Sequence, residues 1–224
     1  MGDEIHTKRR YELKKRADEM AQTRQRITEA AVELHGTIGP ALTTMSAVAK
    51  KAGVQRHTVY RHFPDEEALF GACSAHFIAM HPLPNLALWA EIADPRARLT
   101  RGLNDVYAYF ERTGAMFTLI LRDTEVSESL RRAVEPILHY FAQAVEVLSV
   151  GWPVRGARRH VLATALAHAV SLHTWGSLAG DGSIDRAEAV TLVSALVEAA
   201  AAPTRRVKQT RPVRSGRTGA SDPA

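Results

Sequence analysis

The chain has 224 residues, 46% hydrophobic and 6% aromatic, with 29 Lys+Arg against 24 Asp+Glu for a formal net charge of +5. That length buries one sizeable core or two smaller ones, and a disulfide-stapled miniature is excluded because Cys73 is the only cysteine. No apolar run reaches the ~18 residues of a membrane span, and Met1 to Arg26 lacks a signal-peptide core, so a soluble cytoplasmic protein with no membrane partner is expected.

The charge sits at the ends: +3 over Met1 to Arg26, −1 over Ile27 to His76, −2 over Phe77 to Ala202 and +5 over Pro203 to Ala224. Basic termini are often merely solvated, so a nucleic-acid partner has to be argued from a motif. In chain order, residues 1–26 form a basic extension in which the Tyr11 to Arg26 stretch, rich in helix formers, extends the first helix outward. Ile27, Ala30, Ala31 and Leu34 begin a stripe at helical spacing. Further stripes run through Leu99, Leu103, Val106, Tyr107 and Phe110, and through Leu130, Val134, Ile137, Leu138, Phe141, Val145 and Leu148. No segment alternates with period two. Breakers at Gly36, Gly39, Pro40, Gly53, Pro64, Pro82, Pro84, Pro95, Gly114, Pro136, Gly151, Pro153, Gly180, Gly182 and Pro203 divide these stripes into about nine helices, an all-α fold. The Pro-containing stretch from His81 to Asn85 is the expected joint between a short-helix domain, 27–77, and a larger helical domain, 78–202. Residues 203–224 hold Val as their one sizeable apolar type and are expected to be a disordered basic tail.

From Thr44 to Phe63 the chain reads TMSAVAKKAGVQRHTVYRHF, the pattern of a helix-turn-helix. The Thr44 hydroxyl suits an N-cap. Val48 and Ala52 face inward, Ala49 is small at the helix crossing, and Gly53 supplies the positive φ of the tight turn. Val54 and Val59 anchor the second helix, whose other face carries Gln55, Arg56, His57, Thr58, Tyr60, Arg61 and His62. Such a face suits the major groove. An ordinary helical hairpin with a wet polar face also contains a Gly between two helices, so the surrounding residues decide.

Upstream ITEAAVELHGTIGPALTT, downstream PDEEALFGAC, the AxxAGV of Ala49 to Val54 and the Tyr-x-His-Phe of Tyr60 to Phe63 together resemble the N-terminal domain of the TetR family of bacterial transcriptional regulators, from Ile27 to Phe77. The resemblance implies a three-helix DNA-binding domain (27–36, 44–52, 55–63) and a connecting helix from Asp65. It implies that Thr44, Tyr60 and His62 approach phosphates while Gln55, Arg56, His57 and Thr58 sit near base edges. Two positions depart from the family pattern. Gln55 stands where Ser or Thr is usual, which removes an N-cap, and Glu66 stands where a backbone-touching Lys is usual. Affinity then leans on Lys50, Lys51 and Arg61.

The C-terminal region resembles the family more loosely, which implies an effector-binding and dimerisation domain whose last two long helices form a four-helix bundle in a homodimer. Arg158 to Leu178 is apolar around most of its circumference, and Asp185 with Glu188 makes a capping pair for the last helix. Leu162, Leu166, Val190, Val193, Leu196 and Val197 are the expected dimer interface. Tyr107, Phe110, Phe117, His139, Phe141 and Trp175, with Trp89 beside them, are candidates for an effector pocket, although core packing is the favoured account of any one aromatic, by about two to one. His139, His168 and His173 lack metal-ligand spacing, so no metal is expected. Cys73 fits either a redox sensor or a small buried hydrophobe. No GxGxxG, P-loop, HExxH or nucleophile-elbow pattern occurs, so neither an enzyme nor a cofactor is expected.

The function these expectations favour is a ligand-responsive regulator, a repressor that binds a pseudo-palindromic operator in double-stranded DNA as a homodimer and is released by an apolar or aromatic small molecule. The alternative is a basic helical nucleic-acid-binding protein without effector control.

Overall fold

A computed structural model describes residues 2–180 and 182–202. The tail expected over 203–224 lies outside the described residues. Ten α-helices and one 3-10 turn, with no strand, make up the regular structure among the described residues. The helices are α1 (Gly2–Thr37), α2 (Met45–Ala52), α3 (Arg56–His62), α4 (Glu66–Met80), α5 (Leu86–Ala90), α6 (Pro95–Asp123), α7 (Glu128–Ser149), α8 (Ala157–Ala169), α9 (Leu172–Leu178) and α10 (Arg186–Ala201), with the 3-10 turn at Pro40–Leu42.

Side-chain caps open most of these helices, each satisfying an amide that the first turn leaves unpaired. Asp65 accepts from Ala68 N at 2.8 Å, Asp94 from Ala97 N at 3.0 Å and Ser127 from Leu130 N at 3.2 Å. Asp185 and Glu188 form the full reciprocal box expected at the start of α10.

Three expected boundaries differ. Pro136 lies inside α7, exposed on its outer side, and the helix runs through it. Gly114 lies inside α6 because a Cβ there would overlap the Trp175 ring, so it permits close approach of α9 and breaks nothing. The stretch expected as one apolar helix, Arg158 to Leu178, is two helices. Ser171 caps α9 by accepting from Thr174 N at 3.2 Å, while the Thr174 hydroxyl donates to His168 O at 2.6 Å and so fixes the break. That split makes ten helices rather than nine.

Two cores carry the packing. The smaller joins Ile27, Ala31, Met45, Val48, Ala49, Val59, Phe63, Leu69 and Cys73 across α1 to α4. The larger gathers the buried residues of α5 to α10, among them Trp89, Leu103, Tyr107, Phe110, Leu148, Leu162, Leu166, Val190, Val193 and Val197. Between them a narrow apolar seam runs through Phe70 of α4 and Leu130 and Val134 of α7.

The seam has a polar neighbour. Asp123, buried at the end of α6, accepts from Ala41 N at 2.9 Å and from Arg122 Nε at 2.7 Å, while Arg122 Nη2 donates to Ile38 O at 3.2 Å. Burial would raise the Asp123 carboxyl, but the Arg122 and Ala41 hydrogen bonds and the charges of Arg122 and His35 hold it below its ordinary value. His35 of α1 is 5% exposed and packs against Phe70 with ring centroids 5.6 Å apart. Its Nε2 has no hydrogen-bond partner, and burial lowers its pKa to about 4 despite the opposing charge of Asp123.

The His35 shift has a sign that can be tested. Its folded value lies below its unfolded one, so the neutral ring costs nothing above pH 6.5, and stability is lost as pH falls from 6.5 toward 4 because only the unfolded chain takes up the proton. About 2 kcal/mol is expected to disappear by pH 5. Urea unfolding across that range measures it, and His35→Leu flattens the profile.

Candidate nucleic-acid interface and effector cavity

The helix-turn-helix is built as its residues dictate. Thr44 is the N-cap of α2, its hydroxyl accepting from Ala47 N at 3.1 Å and keeping its own hydrogen for an outside acceptor. Gly53 closes α2 in the left-handed conformation at φ 65°, ψ 36°, and its amide returns to Ala49 O and Lys50 O. Gln55 then occupies the N-cap position of α3 with no side-chain capping bond, the consequence drawn from its departure from Ser or Thr. Val59 is completely buried and pins α3 to the smaller core.

That pinning turns the rest of α3 outward. Gln55, Arg56, His57, Tyr60 and Arg61 are exposed, and Thr58 and His62 are half-buried. Arg56 Nη2 donates to the Tyr60 hydroxyl at 3.2 Å, with its guanidinium 5.4 Å from the Tyr60 ring centre. One turn of α3 therefore holds a planar five-donor fork beside a phenol. Thr44 and Lys50 are exposed on α2. Lys51 is exposed too but ion-paired with Glu33 of α1.

His62 has a bracing part that the sequence did not show. Its carbonyl accepts from Arg24 Nη1 at 2.6 Å, and the same guanidinium lies 4.1 Å over the Phe63 ring. Burial, with the charges of Arg61 and Arg24, lowers the His62 pKa, and its covered Nε2 meets no partner.

The structure brings three of the six effector candidates to one place. Phe110, Phe117 and Phe141 line a cavity of about 200 Å³ together with Ile137, Leu138, Val170 and Leu172, closed on its polar side by Ser171 and His173. Phe110 and Phe141 stack there with centroids 5.7 Å apart at 27°. The other three candidates do not line it, although the Trp175 ring packs against Phe110 with centroids 5.9 Å apart. Tyr107 is fully buried in the core and donates its hydroxyl to Ala169 O at 3.0 Å. His139 is exposed on the outside of α7. Trp175 lines a neighbouring groove with Arg122, Leu172 and His173. A second, small cavity of about 40 Å³ lies at the seam, lined by His35, Phe70 and Cys73, and it shares Phe117, Ile120, Val134 and Ile137 with the larger one.

Burial also pushes the Cys73 thiol up to about 12, so the thiolate is disfavoured and Cys73 serves as a small hydrophobe.

The expected dimer stripe is a correction. Leu162, Leu166, Val190, Val193 and Val197 are each 3% exposed or less, turned onto α6 and onto one another within the chain. Helical spacing explains this: 190, 193 and 197 share a face, whereas 196 points about 100° away from 197. The apolar residues left outside on α8 and α10 are Val161, Leu192 and Leu196, the last 60% exposed.

Residues 27–73 match the family model of bacterial regulatory proteins, tetR family. The HTH-type transcriptional regulator SrpR of Pseudomonas putida is 40% identical over 70 residues, 31% of this chain and 32% of that protein. The chain thus matches about a third of that relative's length. A tetR-family transcriptional regulator from Streptomyces coelicolor superposes with a TM-score of 0.56 at 21% identity, covering 80% of each chain. The transcriptional regulator FadR of Bacillus subtilis, solved in complex with stearoyl-CoA, does so with a TM-score of 0.56 at 19% identity, covering 77% of this chain and 96% of its own. These structures share the fold beyond the matched segment, including the helical C-terminal part. The helix-turn-helix segment 27–73 thus matches the TetR family of bacterial regulatory proteins in sequence, and most of the chain is similar in fold to solved regulators of that family.

Proposed function

We propose that the chain is a repressor that binds a pseudo-palindromic operator as a homodimer and is released by an apolar or aromatic small molecule. The observation that carries this reading is the shared wall between the two cavities: Phe117, Ile120, Val134 and Ile137 face the 200 Å³ cavity on one side and the His35 and Phe70 seam on the other. A ligand that fills the first displaces the wall of the second, where α1 and α4 meet α6 and α7. The chemistry is then a population shift between head arrangements that fit two half-sites and arrangements that do not. A basic nucleic-acid-binding protein without effector control has no use for that wall. The domain division at 27–77 and 78–202 is part of the same proposal.

Gln55, Arg56, His57 and Thr58 face base edges in this reading, and Thr44, Lys50, Tyr60 and Arg61 face phosphates. Dimerisation uses the outer faces of α8 and α10, with Leu196 kept from the expected stripe and Val161 and Leu192 taking the place of its buried members. Selection of bound sequences from random duplex DNA tests the operator reading; recovery of an inverted repeat supports it, and recovery of no repeat overturns it in favour of the uncontrolled binder.

Three results are expected. Gln55→Ala and Arg56→Ala each lose discrimination of about 1–3 kcal/mol at particular base pairs, whereas Tyr60→Phe weakens every duplex alike; competition binding on single-base variants of the selected repeat distinguishes them. Leu192→Glu with Leu196→Glu places unpaired charges in the subunit contact and yields monomers by sedimentation, with the fold retained because both sites are exposed in the single chain. Phe141→Ala removes one wall of the aromatic stack, so a monocyclic aromatic compound that raises the melting temperature of the parent binds the variant roughly tenfold more weakly.

A further inference from the structure

Helix α1 does not begin where the smaller core begins. It runs from Gly2 through Ile27 as one helix, and among the described side chains none before Ile27 belongs to a core cluster. It leaves the domain beside the end of α3, since Arg24 is the residue that grips His62 O and covers Phe63.

From Arg10 to Arg26 the projecting segment keeps its carboxylates off one side, while cations lie on both, Lys14, Lys15 and Arg26 being off that side too. At about 100° per residue, Arg10, Leu13, Arg16, Ala17, Met20 and Arg24 fall within a sector about 120° wide, on the side that Ile27 and Ala31 turn toward the core. Glu12, Asp18 and Glu19 fall outside it. The described side chains from Arg10 to Met20 are all exposed. The side of the helix that faces the α3 end therefore carries arginines and no carboxylate.

We infer that the exposed arginine face of the α1 extension is a second DNA-binding surface, which grips the phosphates flanking the half-site read by α3. Arg10 stands about 21 Å along the helix from Arg24, enough to follow roughly six base pairs of one strand. Leu13 and Met20 lie against deoxyribose between the gripped phosphates. A second copy of the helix fits the face less well: two apolar side chains bury far less than the ~1,000 Å² of a stable interface, and Arg10 and Arg24 in the seam would face their own copies.

The inference rests on the assignment of α3 to DNA, and the experiment separates the two. Binding of the full chain to a mixed-sequence duplex of roughly 40 base pairs is followed across a salt series, each neutralised phosphate adding about 0.9 to the slope of log affinity against log salt. Arg10→Ala with Arg16→Ala is expected to lower the slope by about 1.8, whereas Lys15→Ala, on the opposite side of the same helix, leaves it unchanged. A slope unaffected by the double substitution overturns the inference, as does a Lys15 effect equal to that of each arginine, which would signal bulk charge alone. Loss of helix is checked by circular dichroism, and Arg10→Lys with Arg16→Lys is expected to restore the slope. If Arg56→Ala and Tyr60→Phe bind the duplex as the parent does, the α3 assignment fails; if they weaken it while the α1 arginines do not, this inference alone fails.

Discussion

The carboxylate of Asp123 is a buried charge, and such a charge persists only where donors surround it. Its donors come from two places: Arg122, its chain neighbour, and the Ala41 amide, eighty-two residues earlier in the turn that leads into the helix-turn-helix. The α6 terminus and the 38–41 turn are thereby held in one register. Buried polar contacts of this kind add little net stability but select one arrangement over its neighbours. The apolar seam of Phe70, Leu130 and Val134 supplies attraction without direction, and the Arg132 to Glu67 pair at 3.0 Å is exposed and contributes little. Orientation of the helix-turn-helix against the larger core thus rests on a narrow contact, which is what a movable head requires.

His35 adds a cost to that contact. Its ring fills the joint between α1 and α4 with a nitrogen that no group satisfies. Such an unpaired buried atom destabilises the arrangement it sits in, so the seam is held near balance. Its small cavity and the wall shared with the larger one lie at the same place. Packing density and polar satisfaction are both incomplete where the two cores meet, and the larger cavity carries the incomplete packing on into the larger core.

How much of this was legible depends on range. Thr44 as a cap, Gly53 in the left-handed turn, the missing cap at Gln55 and the Asp185 to Glu188 box are local rules, and each is found as the residues imply. The continuation of α1 outward followed from good helix formers, although the residues gave no reason to prefer one side of it. The joint between Asp123 and Ala41 had no local signal, because neither residue is unusual among its neighbours. Five of the six expected dimer residues are buried within the chain for a related reason: the spacing of Val190, Val193 and Val197 identifies a buried face, and spacing is silent on whether the covering helix belongs to the same chain or another. The effector candidates were chosen as aromatic rather than as neighbours, so the three that converge were mixed with three that serve elsewhere.

Charge placement ties the reading surface to the rest of the helix. On the helix-turn-helix itself Lys51 is engaged by Glu33 and the first turn of α4 carries Glu66 and Glu67, so Lys50, Arg56 and Arg61 are the exposed lysine and arginine cations near α3 left unpaired by a carboxylate. Three cations and an uncapped seven-residue helix suit discrimination more than attraction, since base contacts specify while phosphate contacts position and hold. The same helix that braces α3 through Arg24 carries the carboxylates of Glu12, Asp18 and Glu19 away from that side and Arg10 and Arg16 toward it. A rigid helix fixes the angle between those two sides, so the extension meets the duplex in one orientation. A flexible tail of equal charge would attract DNA as strongly and orient nothing.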